Sequence, residues 1–135
     1  MKRTELKRRT PLKRSTKRES KADAAARRRF YDAVLERDDY RCIRAGEGEC
    51  TGALDAHHVI SKQTLKAHAS TAANVTARRN LVWDPRNGVT VCRGHHAHLT
   101  VRADRLTAGE VPPEARDFAR EHAITHLLER ELDGR

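Results

Sequence analysis

The stretch "VCRGHHAHLT", residues 91–100, sets one cysteine and three histidines within seven consecutive positions. A second histidine pair stands upstream in "DAHHVISK", residues 55–62. Such donors read as metal ligands, as catalytic bases or as solvent-facing imidazoles that happen to cluster. The choice separates an enzyme from a metal-stapled basic binding module.

Cys92 and His95 form a C-x2-H pair, and a short turn or first helical turn lets both reach one tetrahedral ion. Cys42 and Cys50 add two soft donors from residues 42–52, a stretch with three glycines that reads as a loop. A structural zinc on Cys42, Cys50, Cys92 and His95 would use every cysteine in the chain. It would also clamp the first segment of the core to the last. Three cysteines cannot all pair within one chain, which weakens a disulfide framework. The Cys42 to Cys50 gap is wider than the typical knuckle spacing of about two to four residues. The plain alternative is three buried, inert thiols.

The 135 residues fit one compact domain with extensions. With 35% charged and only 4% aromatic residues, the chain has a small core that profits from a staple. A formal net charge of +9 points to polyanionic partners, nucleic acid first among them. No apolar run approaches the roughly 18–20 residues of a membrane span, so no membrane association is expected. The start "MKRTELKRRTPLKRSTKRES" lacks the apolar segment of a secretory signal, and a cytoplasmic, reducing location is the expectation.

Along the chain, residues 1–19 hold nine Lys or Arg against two Glu and read as a disordered basic arm drawn to phosphates. A solubilising tail is the bland alternative. "SKAD" gives a Ser20 cap with an acidic residue three positions on, so a helix begins there, with Phe30, Tyr31 and Val34 on one side and Leu35 at its margin. "ALDAHHVI" reads as a short strand. Residues 61–80 lack clean periodicity and read as a long loop with a helical turn near "SKQTLKAH". "LVWDPRNGVTVC" suggests a bend at Asp84-Pro85, an Asn87-Gly88 turn and a strand through Val89 and Val91. A short helix over "RGHHAHLTVRADRL", a turn at "AGEVPP" and one final helix from Pro113 to Leu132 follow. The final helix carries a stripe of Ala115, Phe118, Ile124, Leu128 and Leu132. The expected units are an arm over 1–19, a core domain with its leading helix over 20–110, and a C-terminal helix over 111–135.

"AHHVISK" followed by "RNLVWDPRNGVTVCRGHHAHLT" resembles the HNH endonuclease family, in particular phage and bacterial members with a WDPxNG segment. The resemblance runs from about Arg37 to Val101, roughly half the chain. In the family pattern the middle Asn is followed five positions later by a zinc cysteine, and four positions after that by the third motif residue. Asn87, Cys92 and His96 satisfy both intervals. The resemblance implies an α+β fold, a small ββα-metal core stapled by a structural zinc and flanked by N- and C-terminal helices. It implies that His58 is the general base, Asn87 the residue that constrains the base and its loop, and His57 and His96 the ligands of one catalytic divalent ion (Mg, Mn, Ni or Zn). The implied chemistry is hydrolysis of DNA phosphodiesters to 5′-phosphate and 3′-hydroxyl ends, in a protein of phage or mobile-element origin. Phage or host DNA-processing proteins are further candidate partners. The sequence departs from the pattern where Ala45 and His95 replace knuckle cysteines, and where Thr100 stands in place of a further histidine.

Lys62, Arg78, Arg79, Arg86 and Arg93 flank this region and are candidates for holding the DNA backbone. His98, roughly 200° around a helix from His96, should face away from the same ion. His68, His122 and His126 read as surface or partly packed residues, and Trp83 as core beneath the loop. Two competing functions remain. One is a non-catalytic, zinc-stabilised nucleic-acid-binding protein; the other is a basic protein that stabilises an RNA assembly.

Overall fold

The computed structural model describes residues 18–69, 74–100 and 104–132. Except for residues 18 and 19, the basic arm lies outside them. The elements in chain order are α1 (Lys21–Arg37), β1 (Leu54–His58), α2 (Lys62–Ala69), α3 (Val75–Val82), β2 (Gly88–Cys92), α4 (Arg93–Thr100), α5 (Pro113–Glu121) and α6 (Thr125–Glu131). Single 3₁₀ turns cover Pro85–Asn87 and Ala108–Glu110. The chain is mixed α and β, and no described helix is long and apolar enough to cross a membrane.

Ser20 caps α1 as its sequence suggests, its hydroxyl accepting from the Asp23 amide at 3.1 Å. The helix stops where Asp39 and Tyr40 both take φ of 54°. Ala26, Phe30 and Val34 are its buried residues, and Phe30 and Val34 form a small cluster with Ala56 on one face of the sheet. The main core lies on the other side and draws Val59, Ile60, Leu65, Val89, Val91, Leu99 and the C-terminal helices together.

β1 and β2 pair antiparallel, with Leu54 opposite Cys92, Ala56 opposite Thr90 and His58 opposite Gly88. All five residues of β2 are buried. Its outer edge is closed by the end of α1: the Thr90 amide donates to Asp38 at 2.9 Å, and Ile43 donates to the Thr90 carbonyl at 2.9 Å. Arg37 adds a bond to the Gly88 carbonyl at 2.6 Å. A two-stranded ribbon is marginal alone, so these edge bonds matter as much as the ladder.

Three expectations are corrected. The helix expected over residues 93–106 is shorter: α4 ends at Thr100, and residues 104–107 are not helical. The turn before β2 is the single 3₁₀ turn Pro85–Asn87, closed by the Gly88 amide donating to the Pro85 carbonyl, and Gly88 opens β2 with an extended φ of −128°. Glycine is needed there for space: a Cβ would come within 2.5 Å of a Val34 methyl and 2.8 Å of the Phe30 ring. Residues 61–80 are not a long loop. Ser61 accepts from the Thr64 amide at 3.2 Å, starting an α2 that buries Leu65 and Ala69, while Asn74 caps α3 through the Ala77 amide at 2.7 Å. Both helices are short, and tertiary burial rather than periodicity decides them. The final helix breaks at Ala123, which takes φ of 54°. Phe118 and Ile124 are six positions apart, so a straight helix would set them roughly 120° apart. The break returns both to the core, where each is fully buried.

Candidate metal centre and active site

Cys42, from the loop after α1, Cys50, near the end of that loop, Cys92, closing β2, and His95, in the first turn of α4, place their donor atoms within 4.8 Å of one another. The His95 Nδ1 lies 3.1 Å from the Cys92 sulfur, 3.4 Å from Cys42 and 3.9 Å from Cys50. Tetrahedral zinc with ordinary Zn–S and Zn–N bonds sets such S···N edges at roughly 3.5 Å. The donor set therefore fits a structural metal such as zinc. His95 Nε2 faces the Glu47 carbonyl at 3.3 Å, and since a carbonyl only accepts, Nε2 carries the hydrogen and Nδ1 keeps its lone pair toward the sulfurs. Gly46 and Gly48, at φ of 114° and 101°, let the wide loop fold back so that Cys50 reaches the cluster. All three cysteines are free thiols, Cys42 and Cys92 buried and Cys50 exposed. Burial would push the Cys92 thiol up, but the amides of His95 and Thr51 and the neighbouring thiols hold it down at about 6. Loss of hydration at its sulfur and the adjacent thiols push Cys50 up to about 11.

The loop is anchored by Arg44, whose side chain is only 7% exposed. Its guanidinium donates to Glu110 at 2.9 and 3.2 Å, to the Arg105 carbonyl at 3.0 Å and to Asp104. Nothing in the sequence distinguished Arg44 from the other cations.

The second group of histidines gathers on β1 and α4. His57, His58 and His96 line one cavity of about 300 Å³, together with Arg27, Tyr31, Lys62, Trp83 and Thr100. His57 and His58 also border a larger cleft of about 820 Å³ formed by α2, α4 and α6. The His57 and His96 rings meet edge-on, centroids 5.1 Å apart. Two imidazoles sharing one tetrahedral ion stand about 5 Å apart by the same measure, so the pair has the spacing of joint ligands. His96 Nδ1 bonds Asp55 at 2.8 Å, which leaves Nε2 with the lone pair when the ring is neutral.

His58 is held differently. Its ring stacks on Phe30, centroids 4.4 Å apart and planes 13° from parallel, with Trp83 edge-on at 5.3 Å. Its Nε2 donates to the Val82 carbonyl at 2.9 Å, so Nδ1 is the basic nitrogen. Burial lowers both His57 and His58 to about 4, reinforced for His57 by His96 and for His58 by Lys62, so both rings are neutral near pH 7.

Asn87 is fully buried and does not line the smaller cavity. Its side chain accepts from the Ile60 amide and donates to the Ile60 carbonyl, each at 2.9 Å, pinning the chain just past His58. That is a positioning role. Of the flanking cations, Lys62 stands at the cavity, 5.3 Å over Trp83. Arg78 and Arg93 are exposed away from it, and Arg79 pairs with Asp23 at 2.7 Å. Arg86 is committed to Asp84 at 2.9 Å and to Glu121, over the Phe118 ring. His98 is exposed on α4, and His122 packs on Phe118.

Sequence reasoning missed Asp55, Tyr31 and Phe30 as parts of this site. Asp55 had a signal: it lies two positions before His57 on a strand, and therefore on the same face. No family model, curated protein or solved structure matches the chain.

Proposed function

We propose that the protein is a metal-dependent endonuclease of the HNH type that hydrolyses DNA phosphodiester bonds, leaving 5′-phosphate and 3′-hydroxyl ends. The carrying observation is that three imidazoles line one cavity, with the free nitrogens of His58 and His96 set by different partners. His58, neutral and fixed through Nε2, offers Nδ1 to take a proton from water. Phe30 holds the ring's plane, and Asn87 holds the backbone that follows it. His57 and His96 would hold the cation (Mg, Mn, Ni or Zn). When bound, that cation supplies charge stabilisation to the phosphate and to the departing 3′ oxygen, with positions open beyond its two protein ligands. Lys62 at the cavity places positive charge beside the path of a phosphate backbone, whereas Arg27, which lines the same cavity, is paired with Glu19 at 3.0 Å. The antiparallel pairing of β1 with β2, and the direct passage of β2 into α4, support the same reading.

The test is incubation with supercoiled plasmid and Mg²⁺, Mn²⁺, Ni²⁺ or Zn²⁺, wild type beside His58→Ala. The wild type should nick or cut, and the variant should lose about 10²- to 10⁴-fold of that rate. DNA binding and zinc content should be unchanged. Cleavage retained by clean His58→Ala protein removes His58 as the base. Binding without cleavage in every metal by the wild type would instead establish the non-catalytic, zinc-stabilised binding protein.

A further inference from the structure

Asp55 has no role in the chemistry above, yet among the described residues it is the one carboxylate bonded to an imidazole of the cavity. It stands on β1 between Leu54 and Ala56, opposite Val91, so its place is fixed by the ladder. Its Oδ2 meets His96 Nδ1 at 2.8 Å, with the two side chains 26% and 22% exposed. Tyr31 of α1 lies beside the same carboxylate and lines the same cavity. Burial and this carboxylate push Tyr31 up to about 12, so the phenol keeps its hydrogen.

We propose that Asp55, flanked by Tyr31, is a positioning residue that fixes the Nδ1–H tautomer of His96 and aims His96 Nε2 at a divalent cation shared with His57. The proposal rests on the metal-site part of the reading above and deepens it. An uncoordinated neutral imidazole favours hydrogen on Nε2, which would turn a donor rather than a lone pair toward the cation. A carboxylate at Nδ1 reverses that preference, restricts ring rotation and makes Nε2 a better ligand. Asp55 reaches His96 from a strand and Tyr31 reaches Asp55 from α1. The leading helix is thereby part of the site rather than a flank.

Two measurements on full-length, zinc-loaded protein test this, and neither needs DNA. The first is long-range ¹H–¹⁵N correlation of the neutral His96 ring in the absence of added metal. Wild type should show the Nδ1–H tautomer, and Asp55→Ala should revert to Nε2–H. The second is calorimetric titration with Ni²⁺, which imidazole nitrogens bind well. His96→Ala identifies the heat that belongs to the cavity, and zinc content is followed throughout. Asp55→Ala should weaken that Ni²⁺ site about 10- to 100-fold, the usual effect of removing such a partner. Tyr31→Phe should weaken it several-fold, and its effect should vanish in the Asp55→Ala background.

An Nε2–H tautomer in the wild type, or Ni²⁺ affinity unchanged in Asp55→Ala, overturns the proposal even if the protein cleaves DNA. Weakened Ni²⁺ binding and a switched tautomer sustain it even if no cleavage is found. Should Asp55→Ala fail to fold, Tyr31→Phe and the wild-type tautomer decide the matter. No Ni²⁺ heat lost in His96→Ala defeats the shared site outright.

Discussion

The two histidine-bearing regions share α4 and sit one residue apart in sequence, yet they are built on opposite principles. His95 completes a closed set of four donors, three of them sulfur, with its second nitrogen tied to a backbone carbonyl. His96 turns to a cavity with one further imidazole as co-ligand candidate, and its second nitrogen is tied to a carboxylate. A closed sulfur-rich set suits a metal that holds the fold; an open nitrogen set leaves room for water and substrate. Adjacent helical positions differ by about 100°, which suffices to send the two rings to different sites.

The contrast breaks most sharply at the closed set. Cys92→Ser should abolish stoichiometric zinc and cost more stability than any other single change, because structural zinc contributes its binding energy to folding. Metal content with thermal unfolding by circular dichroism checks this, and an unchanged Tm would remove the structural role. Phe30→Ala comes next, at about 3–5 kcal/mol, the range for deleting a buried aromatic ring. It empties the cluster of Phe30, Val34 and Ala56 and unseats His58, so cleavage should fall while zinc stays bound. Denaturant melts and zinc content together separate that outcome from loss of the closed site.

Glu110→Gln should cost about 1.5–3 kcal/mol, the worth of a charge-assisted hydrogen bond, since Asp104 remains to pair with Arg44. Burial pushes Glu110 up, but Arg44 and Thr107 hold it below the ordinary value of 4.5. Its contribution is therefore complete above about 4.5 and is lost as pH falls through the depressed folded value. The gap between wild type and variant should close on acidification, and a gap that widens would contradict the pairing. The smallest effect concerns the cations. Lys62→Ala should lower the salt slope of DNA binding by about 1, whereas Arg86→Ala should leave it unchanged and cost under about 1 kcal/mol. Equal slopes for the two variants would erase the distinction between a cavity cation and a paired one.

The four donors of the closed set and the three cavity histidines could be named from the sequence. Cysteines are scarce in this chain, and short spacings such as Cys92 to His95 limit where side chains can go. The Ser20 cap and the strands around Ala56 and Val89 were legible for the same reason: local hydrogen bonding and alternation act within a few residues. Tertiary structure alone decided the rest. α2 and α3 exist because Leu65, Ala69, Leu81 and Val82 find a core, and the kink at Ala123 exists because Phe118 and Ile124 must enter the same one. Arg86, already paired with its neighbour Asp84, gained a second carboxylate only when Glu121, far along the chain, came beside it. Asp55 gained His96, and Arg44 gained Glu110, through the strand register and the packing of distant loops. Residue type and short spacing fix which groups are available; only the register of β1 on β2 and the seating of α1 fix which of them meet.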